Sequence, residues 1–550
     1  MNKTSIYAAG KKLLWGALLF LSVWVPPAAK AAGVTIITHG ADGDVTGWVS
    51  AMADSIPAYF QNRYPGFSTN FTVYTLVLTT DGKGNYFYQW SRDRGGSPTN
   101  TDTGEIIVKL DWSQMAQLGS AYDTSTYKVA SIASYVIMQT NAIADLNGHA
   151  LAEYPIHLVG HSRGGSLMSQ ISYLLGTNGI WTDQLTTLDP HPLNNDGNND
   201  FPFTTVDAPV HTYSNVLFHD NYWQNQGFLI DPNGEPVAGA YVRNLNSAVI
   251  TGGYNATSSI SPYHSNVHLW YYGTLNLATP NTNNDDGEVV TIDSTTRENW
   301  WAPYESYGTN AGFLYSLIGG GDRTSLDYPL GLPSDPAVRD GYNQNWDLGG
   351  GTNANRTALA ANNGTWPNLI KFDITGTNPV TQGNLAGIKF YYQYGGQTNV
   401  TVQIYYDRDF NPYNPNRTLV LQGSVANTGP GSVYYYSNLG LSTTNVAPGT
   451  YSIYASISDG LHTRYLYTPE LLTIVSTNQP PVLDISTLSS TQFRIRVNGV
   501  ASQNILLQTS TDLQNWQPLA TNTLTTSLWI YTNTVPNNFS RQFYRAMLSP

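Results

Sequence analysis

Apolar and polar positions divide the chain into regions of different period. Up to about residue 275, short β-branched runs alternate with stretches of helical spacing. Val34–Thr38 (VTIIT) predicts a strand ending at His39-Gly40, and Trp48 to Tyr64 a helix that Pro57 should kink. Phe71–Leu78 and Ile106–Asp111 (IIVKLD) predict two more strands, and Thr124 to Leu146 a helix rich in Ala, Ile and Met. Ile156–Val159 (IHLV) reads as a buried strand running straight into a glycine-rich turn. A helix over Ser166–Leu175, strands at Leu185–Leu188 and Val210–Phe218, and a helix at Val267–Leu275 follow. Strand alternating with helix implies a parallel sheet with helices on both faces, so the expected fold class is α/β.

Beyond about residue 330 the period changes. Gly349–Gly351 and the Asn/Thr-rich Thr352–Trp366 read as a linker. Alternating runs at Ile388–Tyr394, Val400–Tyr406, Ser432–Tyr436 and Thr450–Ile457 predict a β-sandwich. Gln479-Pro480-Pro481 marks a further boundary, after which Phe493–Val497, Asn504–Gln508, Leu528–Tyr531 and Gln542–Ala546 alternate again. At the other end, Lys3, Lys11 and Lys12 precede an apolar run from Leu13 to Val25 and the small residues Ala29-Lys30-Ala31. That is the pattern of an export signal, with cleavage expected after Ala31 or Ala32. The expected organisation is therefore a signal peptide over 1–31, an α/β domain over 32–330, a linker over 331–364, and two all-β domains over 365–478 and 479–550. The expected location is extracellular, with the last modules suited to surface attachment on a bacterial cell.

Composition narrows the chemistry. The 25 Lys and Arg against 37 Asp and Glu give a formal charge of −12 without a basic cluster, which excludes a nucleic-acid partner. With no cysteine, thiol catalysis, disulfides and Cys-based metal sites are ruled out. Nine of the ten histidines precede residue 270, so acid–base chemistry belongs to the first domain.

Gly160-His161-Ser162-Arg163-Gly164 is weak evidence alone, because Gly and Ser are common here. Its place between a buried strand and a helix is what a nucleophile elbow requires. The sharp turn lifts the serine hydroxyl above the sheet, at a helix N-terminus that favours developing negative charge. The base should come later in the chain. His264 sits just past a loop and is the first candidate, and His268, one helical turn on, is the alternative. The acid that orients it is Asp189, closing Leu185–Leu188, with Asp220 after Phe218-His219 as the alternative. Backbone N–H groups of Arg163 and of Ala41, in Thr38-His39-Gly40-Ala41, are the expected oxyanion donors.

Together, Thr38-His39-Gly40, Leu110-Asp111-Trp112-Ser113, Gly160–Gly164, Leu188-Asp189-Pro190 and Tyr263-His264 resemble the secreted lipase and esterase branch of the α/β-hydrolases, which includes the pancreatic and lipoprotein lipases. The resemblance is one of motifs, in the order Ser, Asp, His, over roughly residues 34–275. It implies an α/β-hydrolase fold, a Ser-His-Asp triad and cleavage of carboxylic esters, in a lipid, a polymer or an acylated glycan, with no cofactor required. Arg163 stands where these lipases carry an apolar residue, which bears on how apolar the pocket is. Residues 221–260 form a long insertion before the histidine, either a lid or a surface excursion. The middle all-β domain looks like an immunoglobulin or fibronectin type III sandwich. The last, with Leu507-Gln508-Thr509-Ser510-Thr511-Asp512-Leu513 and Asn515-Trp516, looks like a C-terminal module of large secreted bacterial proteins.

Two acidic loops, Asn194–Asp200 and Asp407–Asn411, place oxygen ligands at alternating positions and would suit a structural calcium ion, although such runs also make plain turns. A competing reading of the whole chain is a non-catalytic surface or adhesion protein on a hydrolase scaffold.

Overall fold

The computed structural model describes residues 33–549 apart from 66–67, 101–102, 198, 228–231, 256–260, 277–280, 284–288, 302–311, 319–355, 361–364, 397, 430–433, 469, 477–479, 502 and 537–540. The expected signal peptide and nearly all of the expected linker lie outside the described residues.

The first part alternates as its pattern requires: β1 (Val34–Thr38), α1 (Trp48–Arg63), β2 (Thr72–Thr80), β3 (Tyr86–Arg94), β4 (Ile106–Asp111), the short α2 (Ser113–Ala116) and α3 (Thr126–Met138). Then come β5 (Ile156–His161), α4 (Arg163–Thr177), β6 (Thr182–Leu188), β7 (Val216–Trp223), β8 (Tyr241–Asn244), the short α5 (Asn246–Val249) and α6 (Pro262–Leu275). The eight strands form one sheet in the order β3-β2-β4-β1-β5-β6-β7-β8. Every pairing in it is parallel except β2 with β3. Helices α1 and α6 pack together, as do α3 and α4. Strands β1, β5 and β6 are buried along their whole length, as expected of parallel strands covered on both faces.

Two departures have visible causes. The sheet is mixed, because β3, mostly exposed and polar (YFYQWSRDR), folds back on β2 as an edge hairpin. Strand β7 begins at Val216 and not at Val210, because Thr212 O and Ser214 N pair with Thr357. Arg356, within the expected linker, also donates to Val216 O and Leu217 O, so this stretch lies along the sheet.

A hairpin, β9 (Asn281–Asn283) with β10 (Val289–Thr291), and α7 (Ser294–Trp301) close the first part. The second part holds β11 (Asn368–Thr375), β12 (Val380–Thr381), β13 (Leu385–Gln393), β14 (Val400–Asp407), β15 (Arg417–Val425), β16 (Tyr434–Ser442), β17 (Gly449–Ser458), β18 (Thr463–Tyr467) and β19 (Leu472–Val475). These make an antiparallel sheet β11-β13-β16 and a second sheet β12-β19-β17-β14-β15, with β18 beside β17. Their inner faces share one apolar core, including Phe372, Ile388, Phe390, Ile404, Ile453 and Leu472.

This second part is joined to the first by buried contacts. Trp181 Nε1 donates to Gln393 Oε1 at 2.8 Å, and the Trp181 backbone N–H to Asn368 Oδ1 at 3.1 Å. The buried Arg464 guanidinium donates to Ala152 O and Trp181 O at 2.9 and 3.1 Å. Tyr405, Phe410, Tyr454 and Tyr467 belong to the same apolar cluster as the eight-stranded sheet. From Val482 to Leu548, six further strands form two antiparallel three-stranded sheets around a small core of Ile495, Val497, Ile505, Leu507 and Leu524.

Candidate active site

Strand β5 ends at His161, and Ser162 turns the chain into α4 with φ 58° and ψ −129°. Left-handed backbone costs a non-glycine residue about 1–3 kcal/mol and persists only where the surroundings impose it. Here they do. Ser162 N donates to Leu188 O at 3.0 Å, and Ser162 O accepts from Gly165 N at 2.9 Å. The helix start also passes too close for side chains. A Cβ on Gly160 would lie 2.1 Å from Gly164 O, and one on Gly164 would lie 2.4 Å from His39 O. Both glycines of the motif are thus required by packing of α4 against the ends of β5 and β1.

The neighbouring β6 ends at Leu188, and Asp189 follows at the same end of the sheet with no exposed surface. His264 lies in the first turn of α6. Its Nδ1 donates to Asp189 Oδ2 at 2.6 Å. The His264 carbonyl accepts His161 Nε2–H at 3.1 Å, and the two rings lie 4.3 Å apart. Ser162, Asp189 and His264 are therefore brought to one place: Ser162 through its backbone bond to β6, and His264 through both Asp189 and the residue preceding the serine. Ser162 and His264 are 6% and 5% exposed, so the cluster is largely shielded from water.

Burial governs protonation here. It pushes His264 below the usual histidine range, with the charge of His191 acting in the same direction. It pushes Asp189 upward, against the downward pull of hydrogen bonds from Gln224. A neutral imidazole whose Nδ1–H is committed to Asp189 presents Nε2 as the acceptor.

Gln224 was not found by sequence reasoning. Its backbone N–H donates to Asp189 Oδ1 at 2.8 Å and its side-chain amide to Asp189 Oδ2 at 2.9 Å. Gly234 lies so close that a Cβ there would sit 2.2 Å from Asp189 Oδ1. The only signal for Gln224 was position: it follows β7 directly, beside the end of β6. Within the 221–260 stretch, residues 228–231 and 256–260 lie outside the described residues. Its described residues finish β7, cradle the acid, add β8 to the sheet and form α5.

The alternatives fall elsewhere. Asp220 does not close its strand, because β7 runs on to Trp223. Its carboxylate accepts from Gln184 Nε2 at 2.9 Å and Thr186 Oγ1 at 2.6 Å, within the sheet. His268 stacks on Trp48 with ring centroids 4.8 Å apart and meets His161 edge-on at 4.7 Å, so it packs behind the pair.

The expected oxyanion loop lies against the serine: a Cβ on Gly40 would come within 2.5 Å of Ser162 Cβ. Ala41 follows it, and Arg163 is the first residue of α4, whose N–H groups at this end lack helical acceptors. His39 fixes the loop. Its Nδ1 donates to Gly40 O at 2.9 Å, and its Nε2 accepts Trp112 N–H at 3.3 Å.

The Arg163 side chain does not line a pocket. It is fully buried and makes a bidentate pair with Asp207, Nε to Oδ2 at 2.7 Å and Nη2 to Oδ1 at 3.0 Å. It also donates to Asp123 Oδ1, Ala116 O and Thr124 O, over the Trp112 ring. The departure from the lipase pattern thus bears on how α4 is anchored.

In the Asn194–Asp200 loop, the Asp196 and Asp200 carboxylates lie 3.1 and 3.4 Å from the two His191 ring nitrogens. Among the described residues no group of three or more His, Cys, Asp or Glu is arranged to hold a metal. No protein-family model matches the chain, and none of the curated proteins compared with it does.

Proposed function

We propose that the chain is an exported serine hydrolase of the α/β-hydrolase type that cleaves carboxylic esters through an acyl-enzyme. The observation that carries this reading is a left-handed serine between β5 and α4 whose preceding residue, His161, donates to the carbonyl of His264, itself bonded to the buried Asp189 at 2.6 Å. A serine hydroxyl is a poor nucleophile without a base, and a base of this kind needs a third group to fix its tautomer. His264 Nε2 takes the Ser162 proton as Oγ attacks the ester carbonyl. The oxyanion forms toward the backbone N–H groups of Ala41 and Arg163, beside the positive end of α4. The proton passes to the leaving alcohol, and water, activated by the same imidazole, then releases the acid and restores Ser162. Because the acyl group is held by the protein alone, no cofactor enters the scheme. A lipid, a polymer ester and an acylated glycan all present the same carbonyl chemistry.

Hydrolysis of a short and a long p-nitrophenyl ester by the purified chain, beside Ser162→Ala, tests the proposal. Turnover is expected to fall by about 10⁴-fold or more in the variant. Equal rates in the two proteins would leave the non-catalytic binding reading in its place.

The pH profile gives a separate test. The base works only when neutral, so activity is lost as pH falls through the His264 pKa. Because burial lowers that value, the acid limb of kcat/KM is expected below pH 6.5, the usual histidine midpoint. A limb centred well above 6.5 would remove His264 from the role.

A further inference from the structure

The loop joining β14 to β15 has no part in the chemistry above. Asp407 ends β14 with no exposed surface. Its Oδ1 accepts Asp409 N–H at 3.3 Å, while its Oδ2 is buried without a hydrogen-bond partner. Burial, and after it the charge of Asp409, pushes the Asp407 carboxyl upward. Asp409 in turn accepts from Asn411 N at 2.9 Å and from the side-chain amides of Asn414 and Asn416 at 2.8 and 3.2 Å. Arg408, between the two, directs its guanidinium to the Tyr451 hydroxyl at 3.0 Å. Arg417, opposite Asp407 in the strand register, directs its guanidinium to Pro412 O and the Tyr454 hydroxyl.

A buried carboxylate oxygen with no donor and a second carboxylate beside it is costly to leave uncompensated. Oxygen is also close at hand: Asn411 Oδ1 and Asn414 Oδ1, which accept Tyr413 N–H and Asn416 N–H, and the main-chain carbonyls of Asp407 and Asp409, which accept from the Ser452 hydroxyl. A hard cation with six to eight oxygen ligands matches that set, and side chains at alternate positions 407, 409 and 411 match the start of a calcium loop. We propose that Asp407 and Asp409, completed by these amide and carbonyl oxygens, bind one calcium ion. The same loop reaches the first part of the chain, through Asn411 Nδ2 to Pro98 O at 2.7 Å and the Tyr413 hydroxyl to Glu153 Oε2 at 3.0 Å. The ion would therefore brace the joint between the two parts.

The test uses the full chain after removal of its leader, stripped with EGTA and equilibrated with about 2 mM calcium chloride, above the range in which extracellular modules bind. Elemental analysis is expected to find about one calcium per chain, and calcium to raise the melting temperature by about 2–5 °C. Asp407→Asn can donate its amide to Asp409, so it should fold while losing both the bound ion and the thermal response. Asp409→Asn serves as the second variant. Wild-type protein that retains no calcium after equilibration, or Asp407→Asn that binds it as well as wild type, would overturn the assignment.

Discussion

Asp189→Asn is expected to lower ester turnover by about 10⁴-fold while costing only about 1–3 kcal/mol of stability. The carboxylate now accepts from His264 Nδ1 and from the Gln224 side chain on Oδ2, and from the Gln224 backbone on Oδ1. An asparagine can keep its oxygen toward the Gln224 backbone N–H and turn its NH₂ toward the imidazole, giving up the bond from the Gln224 side-chain amide. The asparagine NH₂ can only donate, so His264 must accept at Nδ1 and carry its proton on Nε2. In that tautomer it cannot take the serine proton. The backbone turn at Asp189, fixed by its N–H to Tyr222 O at 2.7 Å, is unaffected. Steady-state rates beside a thermal melt separate the two effects. Turnover within tenfold of wild type would exclude Asp189 from the chemistry.

Arg163→Met is expected to destabilise the protein by about 3–5 kcal/mol, because it leaves buried carboxylates without their cation. Asp207 has no exposed surface, and the Asp123 carboxyl is also largely buried. Methionine fills similar volume, so the loss would reflect charge and hydrogen bonding more than a cavity. On the scale of a large domain this is a fall in melting temperature of roughly 6–15 °C. Arg163→Lys should recover only part of it, since an ammonium cannot reproduce the two parallel bonds to Asp207. A methionine variant melting within about 2 °C of wild type would show that the pair contributes no net stability. Because Arg163 opens the helix that Ser162 caps, activity should fall on heating in step with unfolding.

The sequence made the central strands and the elbow legible because their patterns are local. Ile156–Val159 is apolar but for His157, and the glycines around Ser162 announce a close approach that the structure places against His39 and within the turn itself. The choice of His264 over His268 also followed from local position, at the loop and not one turn on. Asp189 and Asp220 look alike locally, since where β7 ends depends on its pairing with β6 and β8. Contacts across long stretches of chain were illegible. Gln224 reaches an acid 35 residues away, and Arg163 an acid 44 residues away. The edge strand β3 carries no regular apolar alternation and is mostly exposed, so its sequence gives little sign of a strand. The seam between Trp181 and Arg464 joins segments that nothing in their own neighbourhoods links.

That seam decides where the molecule can be divided. A cut near residue 364, where composition changes, would strand the Arg464 guanidinium away from Ala152 and Trp181 and lay bare an aromatic face holding Tyr405, Phe410 and Tyr454. The resulting fragments would be two halves of a broken interior, prone to cling to each other or to themselves. The segment from Val482 onward encloses its own apolar centre and is the natural detachable cassette. A shorter chain for crystallisation, or a chimera bearing a foreign C-terminal module, should therefore be spliced just before Pro480, keeping the eight-stranded sheet together with the sheets β11-β13-β16 and β12-β19-β17-β14-β15.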